Sequence, residues 1–327
     1  MIRRHIFMSA AAATVMLSSC SGGNDASPSP TPTSTATPTP TPTASPTYTA
    51  FPLATATEFF TINAATNFTG DPAAGAVTLG VAGTEIRSDR VRLATSNAIA
   101  TATYVIRDAA EESRFTTTNL TTPSAAANPE FVFRTDSTTA APLFTQLEFL
   151  NNTIPGTVSS DAFIAGLTRV SYANWYRGDS VAGQKRLTYT VFGYQTALSD
   201  VPTTGTQAYT VRVSGRVVSN AGGATTINKV GGTATVSVNF STGLVDVTFA
   251  LTQTTPGGVT SAYANFSAQA AIPAGQNQFN GSFTTGGPLS GTIAGGFFGS
   301  QGAEIGITFA GTSANARLVG QLVGKKP

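Results

Sequence analysis

The feature that most constrains this chain is a period of two, recurring in eight runs along its last third and more. In QAYTVRVSGRVVS, Tyr209, Val211, Val213 and Val217 fall on one face and Thr210, Arg212, Ser214 and Arg216 on the other. Successive side chains of a β-strand point to opposite faces, so such alternation marks a strand with one buried side. The pattern returns in GGTATVSVNF (Val236, Val238, Phe240), LVDVTFALTQ (Val245, Val247, Phe249, Leu251), SAYANFSAQAAI, QFNGSFTT, GPLSGTIAGGFFG, EIGITFAGT and RLVGQLVGKK, with Gly, Asn, Ser or Pro between runs. Eight strands joined by short turns predict an antiparallel up-and-down sheet, and closing it into a barrel removes its two reactive edges. The interior of an eight-stranded barrel is either filled by side chains or holds one small ligand. The fold class expected is all-β, with the barrel over 187–327, a stretch of about 140 residues and so large enough to fold by itself.

A barrel spanning the outer membrane is the rival reading, because strands of about ten alternating residues also cross bilayers. The faces opposite the apolar ones argue against it: they carry Arg, Thr, Ser, Asn and Asp246, and no aromatic girdle marks the strand ends. Residues 51–186 have a mixed pattern, with strand-like runs AVTLGVA, TATYVIRD, FVFRTD and LTRVSYANWYRGD between Thr, Asn and Gly punctuation. They predict a smaller β-rich domain with long loops.

The N-terminus sets the compartment. Arg3 and Arg4, a short apolar stretch from Ile6 to Leu17, and Leu17-Ser18-Ser19-Cys20 have the order of an export signal, and the apolar stretch is too short to span a bilayer. Cys20 is the only cysteine of the chain, and Leu-Ser-Ser-Cys resembles the lipobox of bacterial lipoproteins. The signal is therefore expected to cover 1–19 and the lipid to attach at Cys20, since only a thiol supplies the nucleophile for a thioether. Residues 20–50 continue as a Pro/Thr-rich stretch that favours extended polyproline II and has no apolar face to bury, which makes it a tether. At about 3.1 Å per residue it would reach on the order of 90 Å.

Processing also fixes the chemical inventory. Of eighteen Lys and Arg, Arg3 and Arg4 leave with the signal; sixteen then face sixteen Asp and Glu, and the single histidine, His5, is lost as well. A near-neutral chain has no electrostatic footprint for nucleic acid. Without histidine or a free thiol, the common zinc, haem and Ser-His or Cys-His chemistries are excluded, and no Walker, dinucleotide or nucleophile-elbow motif is present. No catalytic residue, metal site or cofactor is expected, and the chain is read as a monomer and not an enzyme.

Three segments carry a family resemblance: FGYQT, LSDVPTTGTQAYTVRVSGR and GGFFGSQGAEIGITF. Together they resemble the C-terminal barrel of transferrin-binding-protein-like surface lipoproteins, whose last segment usually reads Gly-x-Phe-Phe/Tyr-Gly-Pro and then Glu-x-Gly-Gly-x-Phe. Phe297, Phe298, Gly299, Glu304, Gly306 and Phe309 match that pattern, whereas Ser300 and Ile307 depart from it. The resemblance covers 187–327 and makes 51–186 a looser handle-like domain. It implies an outer-membrane, lipid-anchored protein that binds a macromolecule or small solute. The alternative is a structural or adhesive surface module without a soluble ligand. Glu304 is expected to accept hydrogen bonds from turn amides or to pair with an arginine, with Phe297 and Phe309 in the core.

The only ligand-binding candidates are Tyr172, Trp175, Tyr176 and Arg177, because exposed Trp, Tyr and Arg are enriched at binding hot spots. Alternation places Tyr172, Asn174 and Tyr176 on one face and Ala173, Trp175 and Arg177 on the other. The competing role for Trp175, the only tryptophan, is to anchor the seam between the two domains.

Overall fold

The computed structural model describes residues 46–101, 103–109, 111–125, 127–137, 143–155, 159–178 and 184–327. Cys20, the signal and most of the tether lie outside these residues. Two antiparallel sheets account for the strands among the described residues. The first has nine, β1 (Thr57–Thr69), β2 (Thr78–Thr95), β3 (Tyr104–Asp108), β4 (Glu111–Phe115), β5 (Leu120–Thr122), β6 (Glu130–Asp136), β7 (Phe144–Leu150), β8 (Val170–Arg177) and β9 (Gln184–Gly193), in the order β4-β3-β2-β1-β9-β8-β7-β6-β5. The second is a closed barrel of eight, β10 (Thr206–Ala221), β11 (Ala224–Asn239), β12 (Leu244–Thr254), β13 (Thr260–Ala271), β14 (Gln278–Phe283), β15 (Ser290–Phe298), β16 (Glu304–Thr312) and β17 (Ala316–Lys325). These are the eight alternating runs, and β10 pairs with β17 to close the ring.

The boundary expected at 186/187 needs correction. It cuts through β9, which pairs with β1 and β8 of the open sheet. Leu187, Tyr189 and Val191 have the same period of two as the barrel strands, so the pattern alone cannot say which sheet they join. Strand pairing moves the change of sheet to the segment after Gly193.

The barrel interior is filled. Phe249, Phe279, Phe297 and Phe309 are buried inside it together with Ile293, Ile305, Ile307, Leu318 and Leu322. Ring contacts run through the lumen, with centroids 4.7 Å apart for the stacked Phe249 and Phe266, and 4.4 Å and 5.1 Å for the tilted pairs Phe266–Phe283 and Phe249–Phe309. Each ring so enclosed contributes about 1.5–3 kcal/mol of burial. The rings fit because facing strands place glycine opposite them. A Cβ on Gly320 would lie 2.4 Å from the tip of Phe309 and 2.6 Å from the Ser214 carbonyl oxygen. Gly320→Ala is therefore expected to cost about 1–3 kcal/mol by overpacking. Adding Phe309→Leu should recover only part of the loss in a urea titration, since the clash with the backbone remains.

The open sheet curls until its β4 edge comes over β7. There Ser113 and Thr145 hydroxyls lie 2.8 Å apart, and the Trp175 indole N–H donates to both at 3.1 Å. The concave side holds a second core of Tyr104, Phe115, Phe133, Leu147, Phe149, Trp175 and Phe192. Its other side packs on the outside of β15, β16 and β17, through Ile62, Tyr172 and Val191 against Ala294, Phe298 and Val323. A neighbouring cluster sets Ala64, Phe68, Leu187 and Tyr189 against Ala310, Val319 and Val218.

Candidate binding surface

The alternating faces of β8 decide where the four sequence candidates point. Trp175 is 1% exposed and belongs to the concave core of the sheet, so it does not anchor the seam. Tyr172 does: it is buried against the barrel wall, and its hydroxyl donates to Glu130 at 2.8 Å. Tyr176 packs at the neighbouring seam cluster, where burial pushes its phenol up to about 12. Arg177 is almost fully buried, lies over the Trp175 ring at 5.4 Å and pairs with Glu111 at 3.3 Å. All four side chains serve the interior of the fold.

Glu304 faces outward from the barrel and is 4% exposed. Its Oε1 accepts from the Thr168 N–H at 2.8 Å and the Thr168 hydroxyl at 3.3 Å, while Oε2 accepts from the Arg169 and Val170 N–H groups, each at 2.8 Å. The carboxylate thus satisfies three consecutive amides at the entry to β8. Turn amides were the expected partners, but they come from the other sheet. The same strand makes room for the contact, since a Cβ on Gly306 would meet Val191 at 3.0 Å.

A second polar contact ties the seam. Arg216 of β10 donates to Glu148 of β7 from two nitrogens, at 2.6 and 3.0 Å, and to the Tyr189 hydroxyl at 3.2 Å. Burial alone would raise the Glu148 carboxyl, but Arg216 outweighs it and holds it below the usual glutamate range. For nearby Glu130, burial and then the Glu148 charge push the carboxyl up. A carboxyl raised in the folded state stabilises at acid pH and loses that contribution as pH rises from the ordinary glutamate value through the folded one. Glu130→Gln, which keeps an acceptor for Tyr172, should therefore raise the urea midpoint at pH 7 and leave it nearly unchanged at pH 4.

With the lumen filled and the seam closed, the accessible features lie on the outer surface. Among the described residues, the exposed large apolar side chains are Phe60, Val81, Ile86, Leu198 and Val259, of which three lie on β1 and β2; Val81 is 80% exposed. A cleft of about 260 Å³ on the outer side of these strands is lined by Asn63, Asn67, Glu85, Arg90 and Arg186. Its charges compensate one another, with Arg90 and Arg186 both on Asp108 and Arg90 also on Glu85. Another, of about 350 Å³, lies at one barrel end between Leu198, Val201, Pro202, Phe240 and Ile272. Sequence reasoning passed over the β1–β2 ridge because VAGTEI carries no aromatic or charge cluster; the unshielded Val81 and Ile86 were its only signal. Among the described residues, no group of three His, Cys, Asp or Glu side chains is placed to hold a metal ion.

Residues 201–326 match the family of the C-lobe and N-lobe β-barrels of transferrin-binding protein B. The fold is transferrin-binding-protein-like. The match covers the barrel and leaves the curled sheet outside it. Among solved structures, the chain is similar to transferrin-binding protein B from Haemophilus parasuis (13% identity, 81% of this chain and 45% of that one, TM-score 0.40). It is also similar to isotype 1 transferrin-binding protein B from Neisseria meningitidis (16%, 81% and 43%, TM-score 0.40). A third similar structure is the haemoglobin receptor HpuA from Kingella denitrificans (15%, 86% and 90%, TM-score 0.41). The chain spans less than half the length of the transferrin-binding protein B structures. No curated protein matches the sequence. The matched family is one of binding lobes, not of enzymes.

Proposed function

We propose that this chain is a lipoprotein of the outer membrane that captures a protein ligand on the outside of a rigid sheet–barrel body, without catalysis. The observation that carries this reading is the barrel itself, which matches a family of binding lobes and has its lumen filled with phenylalanine rings. A filled barrel has no room for a small solute, so the ligand is one that docks on a surface. Transferrin and haemoglobin, the ligands named for the similar structures, are the first proteins to try. Immobilised chain from residue 21 onward should retain a protein ligand at micromolar concentration. Retention of none across a panel of secreted and serum proteins, with the chain folded, would overturn the reading.

Anchoring rests on Leu17-Ser18-Ser19-Cys20, with the Pro/Thr-rich stretch holding the body away from the membrane. Cys20→Ser is expected to block lipidation and to move the protein from the membrane fraction to the soluble one. Equal partitioning of mutant and parent on fractionation would contradict the anchor.

A further inference from the structure

The ridge noted above is also an open sheet edge. β1 pairs along β2 from Thr78 to Ser88 and again from Arg92 to Thr95, but on its other side β2 meets β3 only from Val91 to Ala94. Among the described residues, that side has no strand partner from Thr78 to Asp89, and Arg90 accepts there from the Ala109 N–H at 3.2 Å. The sheet's terminal strands leave much less open, since β4 has five residues and β5 three.

Proteins normally blunt such an edge with charge, proline or cover. Here Leu-Gly-Val-Ala-Gly-Thr-Glu-Ile, from Leu79 to Ile86, has one charged residue and no proline, and both Val81 and Ile86 are exposed. Leu79 and Ala82 pack against the seam cluster, and three hydrogen bonds tie the stretch to the barrel. Arg317 donates to the Gly80 carbonyl at 2.6 Å, the Arg87 N–H donates to Gln278 at 2.7 Å, and Thr84 donates to Thr292 at 2.9 Å. Beside Thr84 and Ile86 lies a groove of about 230 Å³, with Asn280, Gly281 and Thr292 of the barrel wall as its floor. Small residues at the floor leave room for side chains above them.

An arginine stands at each end of the stretch, Arg317 on the Gly80 carbonyl and Arg87 directly after Ile86. Among the described residues, no carboxylate pairs with Arg87, whose guanidinium lies 5.3 Å from the centre of the half-exposed Phe60 ring. Arg317 likewise donates to carbonyls alone, those of Gly80, Ser313 and Ala316. The seven steps from Gly80 to Arg87 span about 23 Å at roughly 3.3 Å each.

We propose that the Leu79–Ile86 edge of β2 is a docking site for an extended segment of a partner protein, added as a further strand and carrying acidic residues at both ends. The proposal rests on the reading of the chain as a protein-binding body and names how part of the partner is held. Main-chain hydrogen bonds along the edge supply attachment, and acidic groups meeting Arg87 and Arg317 fix the position of the added strand. A second copy of this chain suits the edge poorly. Antiparallel pairing of two copies would bring the Arg87 end of one against the Arg317 end of the other, like charge on like.

A ten-residue peptide, Asp-Asp-Thr-Val-Thr-Val-Thr-Val-Asp-Asp, titrated into the chain from residue 21 onward, tests this by amide hydrogen exchange. Saturating peptide should slow exchange at alternate amides between Ala82 and Ile86 by tenfold or more. Arg87→Glu should weaken that peptide by about fivefold and favour a version with lysine at one end and aspartate at the other, while its urea midpoint stays that of the parent. No protection of this edge at millimolar peptide, or protection confined to the barrel-end loops, would overturn the proposal. Self-association that protects the same amides without peptide would overturn it too, by assigning the edge to a second copy. Capture of a protein ligand by Arg87→Glu as well as by the parent would leave the binding function standing and remove this edge from it.

Discussion

Glu304→Ala is expected to destabilise the protein by about 3–5 kcal/mol. The change removes the acceptor of three consecutive amides at once, those of Thr168, Arg169 and the buried Val170. A hydrogen bond to a charged group is worth about 1.5–3 kcal/mol, and three sharing one carboxylate fall short of their sum. Glu304→Gln keeps one acceptor oxygen and turns an NH₂ toward an N–H that has nowhere else to donate, so it should cost about 1.5–3 kcal/mol. Urea titrations of the two variants beside the parent give the order Ala, then Gln. Midpoints equal to the parent's would mean that the amides are satisfied by water and that the contact is incidental.

Glu148→Ala should be as severe, at about 3–5 kcal/mol, because it leaves the Arg216 guanidinium buried without its counter-charge. The pair itself is a different matter. Replacing both, as Glu148→Leu with Arg216→Met, removes both desolvation costs and should recover most of the loss. The pH dependence carries the same signature. Glu148, held below the ordinary glutamate value, contributes stability that is present above that value and is lost as pH falls through its folded pKa. The parent should therefore lose stability on the acid side more steeply than the double variant does.

How far the fold could be read from the sequence depended on which face of each strand meets water. β12, Leu244–Thr254, has one wet face, and Val245, Val247, Phe249 and Leu251 alternate with exposed or half-exposed neighbours as the pattern predicts. β16 is different: from Glu304 to Gly311 every residue is buried, one face in the lumen and the other against the open sheet. A strand covered on both sides loses the polar half of its alternation. The nearly continuous apolar runs at Ile293–Phe298, Ile305–Ala310 and Leu318–Val323 therefore held a message that a search for period two alone does not extract: this part of the barrel wall is covered. Once it is read that way, the single acid between two of those runs points to a contact across the seam. Tyr172 and Trp175 show the opposite lesson. Alternation put them correctly on opposite faces of β8, but which face met the barrel depended on how the sheet curls, and no local pattern encodes that. The β2 edge was illegible for a similar reason, since an unpaired edge is a property of what β3 fails to reach.

The open sheet and the barrel are expected to unfold as one cooperative body, joined by Glu304, by Arg216 with Glu148, and by the apolar contacts of Phe298, Ala310, Val319 and Val323. Trp175, the only tryptophan, sits in the core of the sheet and reports on it alone. Native-state hydrogen exchange along β12 and β13 reports on the far wall of the barrel. The decisive measurement is a urea titration of the chain from residue 21 onward that follows Trp175 fluorescence and those barrel amides together. Coincident transitions with one midpoint are predicted. A sheet that melts while β12 and β13 remain protected would contradict the account, because the seam would then be a contact between two independent domains.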